Sequence, residues 1–330
     1  MRHTRTFLAV LGAVLALAPV LPAATTPAHA DALPGPFVTL LASRTEQWPA
    51  INCQPDSQGG VGLSQVVAPY ASGLGISMTG TVNTLATSDA EGCTHNVAGD
   101  GTGETLTSSW ADLATLASQY GWTFVPHEYD GPAALARLSA YQQWKVTCGQ
   151  AQALTAQGLG PGTGMIAYPG SQKPQNNPAI QALQANYGQN CFDFARTYNP
   201  TGITTQQAAQ TPPYWQQTLV LKGGPGVGST AYTDPASVIA RIKALQPGQW
   251  LTIQFYLIVT GTSPLGDPIT WSCDQLGLPN LSSDVERYCW SDLKQIIDYL
   301  GTDAGVTVTS PLTAGTAFGR SVTGMPPPLK

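Results

Sequence analysis

Residues 121–132 read GWTFVPHEYDGP and bring together His127, Glu128 and Asp130. An imidazole with carboxylates one and three residues away has the composition of an acid–base or metal-binding site. Beyond residue 30, one other histidine occurs, His95, beside Cys93 in a long polar stretch. That setting reads as a solvated loop. His127 instead follows an apolar run that reads as a strand, so a working role and a satisfied structural histidine are both open. Glu46, in SRTEQWP after the first apolar run, is a third carboxylate in an equivalent place. Glycoside hydrolysis needs two carboxyl groups roughly 5–10 Å apart, which Glu46 with Glu128 or Asp130 could supply. The plainer reading is carboxylates that keep the surface soluble.

Other motifs carry less. GGPGVGST (223–230) has the glycine spacing of a phosphate loop but lacks its lysine, so it reads as a turn before Asp234. No G-x-S-x-G elbow anchors a serine hydrolase. The six cysteines, Cys53, Cys93, Cys148, Cys191, Cys273 and Cys289, include no C-x-x-C pair. An even count in an exported chain reads as disulfides rather than as a thiolate metal site. Cys273 and Cys289 flank a Pro/Gly-containing stretch and are expected to pair. Cys53 with Cys93, in loops after neighbouring strands, comes next, which leaves Cys148 with Cys191. Trp48, Tyr168 and Tyr256 fall near strand ends and are candidate substrate-binding residues, since aromatic faces there stack on sugar rings; Arg196 is a further candidate.

Export is expected from the first 30 residues. Arg2, His3 and Arg5 precede the apolar run FLAVLGAVLALAPVLPA, and AHA before Asp31 fits a cleavage site. No later apolar run approaches the ~20 residues of a membrane span, and no cysteine follows the cleavage site to take a lipid anchor. The chain has 14 Lys and Arg against 19 Asp and Glu, an acidic balance that argues against nucleic acid as partner. Charged residues make up only 10%, and such a neutral polar surface suits extracellular life and sugar-like ligands.

The elements that would position these residues alternate along the chain. Apolar runs at 36–42, 75–82, 122–125, 164–169, 191–195, 250–259 and 305–310 read as strands. Helical patterns stand between them. In one, Trp110, Leu113, Leu116 and Tyr120 share a face, with Ser109 as cap, Asp112 at the third position and Gly121 as stop. Others begin at Pro132, Pro178, Pro235 and Ser291. Repeated strand–helix alternation implies a parallel α/β fold, a (β/α) barrel that is incomplete or distorted. No G-x-G-x-x-G follows the first strand. Ligands of such barrels bind at the carboxyl ends of the strands, which places His127 at the mouth. Pro126, which has no N–H, is expected to end the third strand's ladder, and a nearby carboxylate to raise the His127 pKa. The expected layout is a signal peptide over 1–30, the barrel over 31–310 and a tail over 311–330.

The order of segments resembles the polysaccharide deacetylase (NodB-homology, carbohydrate esterase family 4) family. FVTLLASRT is similar to its first strand, SWADLATLASQYGWTFVPHEYDGPAALARLS to its helix and histidine segment, MIAYPGS to its F-A-Y-P-Y-G turn, and PGQWLTIQFYLIV to its late strand. WSDLKQIIDYLGTDAGVTVTS is similar to the terminal helix and strand. The resemblance implies hydrolysis of acetyl groups on sugar polymers by a divalent metal held by an aspartate and two histidines. It places Ser43 and Arg44 where the family has its two aspartates, His127 at the first metal histidine, Gly131 at the second, and Tyr256 near the late histidine. A lone imidazole does not hold zinc against water, so no cofactor is expected. Two functions stay open: a secreted hydrolase using Glu46, His127, Glu128 and Asp130, and an inactive barrel that binds a carbohydrate polymer or cell-wall glycan. Either is expected to act as a monomer without a membrane anchor.

Overall fold

The computed structural model describes residues 33–43, 62–84, 108–127, 139, 141–142, 148–160, 165–167, 194–198, 201–210, 215–221, 233–259, 287–302 and 304–319. All belong to the compact unit Leu33–Lys330. Among them no helix is long and apolar enough to cross a membrane.

The strands are β1 (Phe37–Ala42), β2 (Thr79–Val82), β3 (Thr123–Pro126), β4 (Met165–Ala167), β5 (Phe194–Tyr198), β6 (Ile203–Thr205), β7 (Trp215–Val220), β8 (Gln249–Phe255), β9 (Leu257–Val259), β10 (Arg287–Cys289) and β11 (Thr307–Val308). Around them stand α1 (Ala68–Gly73), α2 (Trp110–Tyr120), α3 (Cys148–Ala156), α4 (Gln206–Gln210), α5 (Pro235–Lys243), α6 (Trp290–Gly301) and α7 (Pro311–Ala317). The main sheet runs β3-β2-β1-β8-β7-β5-β4, with β11 beside β1 and β6 beside β8. Its pairings are parallel except that of β6. The outer strands β3 and β4 come into contact, but no ladder among the described residues closes the sheet. The result is a parallel α/β sheet curled toward a barrel.

Strand alternation separates two faces. Val38, Leu40 and Ala42 of β1, with Leu251, Ile253 and Phe255 of β8, share one core with Leu113 and Leu116 of α2, Val238 and Ile242 of α5, and Leu293, Ile296 and Ile297 of α6. The other face carries Phe37, Leu41, Val125 and Trp250, packed with Ala314 and Phe318 from α7 and its end. The Phe318 ring meets Phe37 at 5.7 Å and Trp250 edge-on at 6.2 Å. This aromatic plug sits where β1 and β8 begin. Beside it the Trp250 Nε1–H donates to Thr39 Oγ1 at 3.0 Å, and Thr39 Oγ1 donates to the Thr309 carbonyl at 2.7 Å.

Local chemistry explains the elements that sequence predicts well. Ser109 and Asp112 form a capping box on α2, and Gly121 ends that helix at φ 67°, a left-handed conformation that glycine adopts without steric cost. Asp234 caps α5 by accepting from the Ala236 and Ser237 amides. Three expectations need correction. The apolar run 250–259 is two strands rather than one, since β1 ends opposite Phe255 and the chain past Tyr256 pairs with β10 instead. The strand expected at 191–195 is Phe194–Tyr198, in register with β4 and β7. The span read as a tail begins with α7, capped by Ser310 accepting from the Thr313 amide.

Candidate functional site at the carboxyl ends of the strands

The inner face changes character along its length. Beyond the plug come hydroxyls: Thr39, Thr79, Thr81, Thr218 and Thr252, all buried. Ladder registers align them, with Thr39 opposite Thr252 and Thr79 opposite Thr123. The Thr79 and Thr123 hydroxyls lie 2.8 Å apart and share a hydrogen bond. At the carboxyl ends the side chains become Ser43 after β1, Asn83 after β2, His127 after β3 and Gln254 near the end of β8, each 3% exposed or less. Gln150 of α3 joins them, buried, accepting from the Thr84 amide at 3.0 Å. Thr84 and Tyr256 are half-buried at this end.

His127 is placed by backbone as much as by side chain. Pro126 is the last residue of β3, opposite Val82, but its missing N–H does not end the hydrogen bonding as expected. The His127 amide still donates to the Val82 carbonyl at 2.7 Å, so register extends one residue further. Alternation then puts His127 on the face of Val125 and Thr123. His127 is 2% exposed, so it is buried at this end rather than a projecting rim residue. Ser43 Oγ and Thr218 Oγ1 are buried hydroxyls with no hydrogen-bond partner among the described residues.

The described donors at this end are hydroxyls, carboxamides and one imidazole. No group of three or more His, Cys, Asp or Glu among the described residues could hold a metal ion. Among the described residues this set offers one nitrogen and no carboxylate, which does not fit the divalent cation that the family resemblance implies. It does fit a neutral ligand rich in hydroxyls, since each hydroxyl or carboxamide both donates and accepts.

The other sequence candidates divide in two. Tyr256 stands between β8 and β9, next in the alternation after Gln254. Arg196 is on β5, its backbone opposite Ala167 of β4 and Gln216 of β7. Glu46, Trp48, Glu128, Asp130 and Tyr168, with Arg44 and Gly131, lie outside the described residues, and so do the expected carboxylate beside His127 and Cys53, Cys93, Cys191 and Cys273. Cys148 and Cys289 are fully buried and disulfide-bonded; their pairing also falls outside what is described. Sequence reasoning missed Asn83, Gln150 and Gln254. The signal available was the polar member of each period-two alternation, Thr79-Thr81-Asn83 and Thr252-Gln254-Tyr256.

No family model matches the chain, and no curated protein matches it in sequence. Among solved structures it is similar to the peptidoglycan N-acetylglucosamine deacetylase Bc1960, at 12% identity and TM-score 0.41, covering 89% of this chain and 94% of that one. It is also similar to a Mycobacterium smegmatis protein assigned to the polysaccharide deacetylases, at 12% identity and TM-score 0.45, again covering 89% and 94%. These neighbours are polysaccharide deacetylases; the parallel α/β architecture itself stands on the strand order and registers above.

Proposed function

We propose that this chain is an exported protein of polysaccharide-deacetylase type that holds a glycan at the carboxyl end of its sheet, and that it does so without a family-type metal. The observation that carries this reading is the cluster of buried hydroxyl, carboxamide and imidazole side chains at that end, Ser43, Asn83, His127, Gln150 and Gln254. Carboxamides and hydroxyls match sugar hydroxyl and acetamido groups in hydrogen-bonding capacity, and the half-buried Tyr256 offers a ring for stacking. The resemblance in segment order supports the same ligand class. Export rests on the basic start, apolar run and AHA site of the first 30 residues.

Calorimetric titration with N-acetylglucosamine oligomers, run beside an acetate-release assay on an acetylated glycan, tests the reading. Saturable binding without acetate release is the expected result. Acetate release would replace it with the hydrolase reading, with Glu46, Glu128 and Asp130 as the acid–base candidates. Absence of both would overturn it. N-terminal sequencing of protein from culture supernatant checks export, with Asp31 the expected first residue.

A further inference from the structure

Gln150 occupies an unexpected place. α3 buries Cys148, Gln150, Ala151 and Leu154 against the sheet, and contacts β3. A glutamine in such a stripe gives up rotamer freedom and water, so an apolar residue would pack there at less cost. What Gln150 gains is specific. β2 ends at Val82, and its next residues, Asn83 and Thr84, continue past the carboxyl end of the strand. The Thr84 amide finds its acceptor in Gln150 Oε1, from a residue 66 positions away in sequence. One residue before it is Asn83, 3% exposed, and the carbonyl of Val82 takes the His127 amide. A single side chain from α3 thus ties down the β2 exit that carries Asn83 and neighbours His127.

We infer that Gln150 is a positioning residue, which sets Asn83 and His127 in the geometry that reads a neutral sugar's hydroxyl or acetamido group. This rests on the glycan reading above and adds to it the device that orients the cluster. Gln150 acts through Thr84 and need not touch the ligand. The Thr84 contact uses the side-chain oxygen as acceptor, which Gln150→Glu keeps at the same length and Gln150→Met removes.

The test uses the full mature chain and an N-acetylglucosamine tetramer as probe. Gln150→Met should weaken binding about tenfold, the scale of one oriented hydrogen-bonding group. Gln150→Glu, assayed at mildly acidic pH where burial keeps its carboxyl protonated, should stay within about threefold of the parent. In parallel, NMR should show the Asn83 side-chain amide and the His127 ring displaced in Gln150→Met and restored in Gln150→Glu. If Gln150→Met does not fold, Gln150→Asn, which withdraws the acceptor by one methylene, should displace the same resonances. Unmoved Asn83 and His127 resonances, or equal affinities in the Met and Glu variants, overturn the inference. A parent protein that binds no tetramer overturns the glycan reading alone, and the resonances still decide the role of Gln150.

Discussion

The two faces of the central sheet are built from the same strands yet follow opposite rules. The outer face alternates Val38, Leu40, Ala42 on β1 and Leu251, Ile253, Phe255 on β8, and meets α2, α5 and α6 through branched aliphatic side chains. The inner face starts with the aromatic plug of Phe37, Trp250 and Phe318, then gives way to threonines, and ends in Ser43, Asn83, His127 and Gln254. Burying an aliphatic side chain contributes about 1.5–3 kcal/mol. Burying a hydroxyl or carboxamide contributes little, and costs stability unless it is paired. Stability therefore resides on the outer face and at the amino-end plug, while the carboxyl end of the inner face keeps polar groups that stability alone would replace. Such departures from local rules mark functional sites.

The largest expected effect comes from the outer face. Ile253→Ala removes a fully buried side chain at the centre of β8, in the middle of the longest ladder. It should lower unfolding free energy by about 2–5 kcal/mol through lost transfer energy and a cavity. Denaturant titration measures it, and tetramer affinity measured well below the new midpoint should be unchanged. A loss under about 1 kcal/mol, or affinity that falls with stability, would dissolve the division between the faces.

His127→Ala tests the other face. The residue is 2% exposed, and its backbone amide bond to Val82 survives the substitution. The imidazole's hydrogen-bonding groups vanish from a buried polar cluster, so stability should fall by about 1–3 kcal/mol. Affinity for the glycan should fall by tenfold or more, about 1.4 kcal/mol. Thermal melts and calorimetry on this one variant separate the two effects. A stability loss with affinity intact would make His127 a structural side chain and move the site elsewhere.

What could be read from sequence follows the same division. The outer face announces itself, because apolar runs at β1 and β8 and the helical stripes of α2, α5 and α6 are produced directly by burial on the sheet. Caps at Ser109 and Asp234 are local chemistry, visible within a few residues. β7 was not legible: WQQTLV reads as a mixed segment, yet its ladder to β8 and β5 is set by neighbours far away in sequence. α3 was hidden for a related reason, since CGQAQALTA carries a glycine and two glutamines where a helix would show apolar spacing. The same glutamine that hides the helix ties Thr84 to the site. His127 was legible because histidines are rare in this chain. Asn83 and Gln254 were not, because an amide at the end of a strand looks like any turn residue until the strands are placed side by side.

A smaller effect sharpens the outer face. Ser109→Ala removes the acceptor for the Asp112 amide at 3.1 Å and the hydroxyl bonded to the Asp112 carboxylate at 2.9 Å. α2 keeps its packing through Leu113 and Leu116, so the loss should be about 1 kcal/mol, the usual worth of an N-cap. Chemical denaturation should show the midpoint move with the slope unchanged. A loss as large as that of Ile253→Ala would mean that α2 is held by its cap rather than by the apolar face.

The smallest effect belongs to the solvent side of the helices that cover that face. Tyr70 of α1 donates its hydroxyl to the Asp298 carboxylate of α6, and packs edge-on against Trp290 at 5.4 Å. Lys294, one turn before Asp298, bonds the other carboxylate oxygen at 2.8 Å and lies 4.6 Å from the Tyr70 ring centre. The Lys294 hydrogen bond, then that of Tyr70, holds the Asp298 carboxyl below its ordinary range. The bond to Asp298 in turn raises the Lys294 ammonium. Both side chains are more than 40% exposed (42% and 43%), so water screens the pair and its contribution is small. The signs of the two shifts define a window. A depressed carboxyl contributes fully above its unfolded value of about 3.9 and loses that contribution as pH falls through the lower folded value. A raised ammonium contributes fully below about 10.4 and loses its part as pH rises through the higher folded value. Between roughly pH 5 and pH 9 the pair is intact. Asp298→Asn should therefore lower the melting temperature by on the order of 1 °C at pH 7. The drop should shrink as pH falls through the lowered folded value, as the parent carboxyl becomes neutral too. A drop that does not shrink at low pH would show that the charge of Asp298 contributes nothing to the contact between α1 and α6.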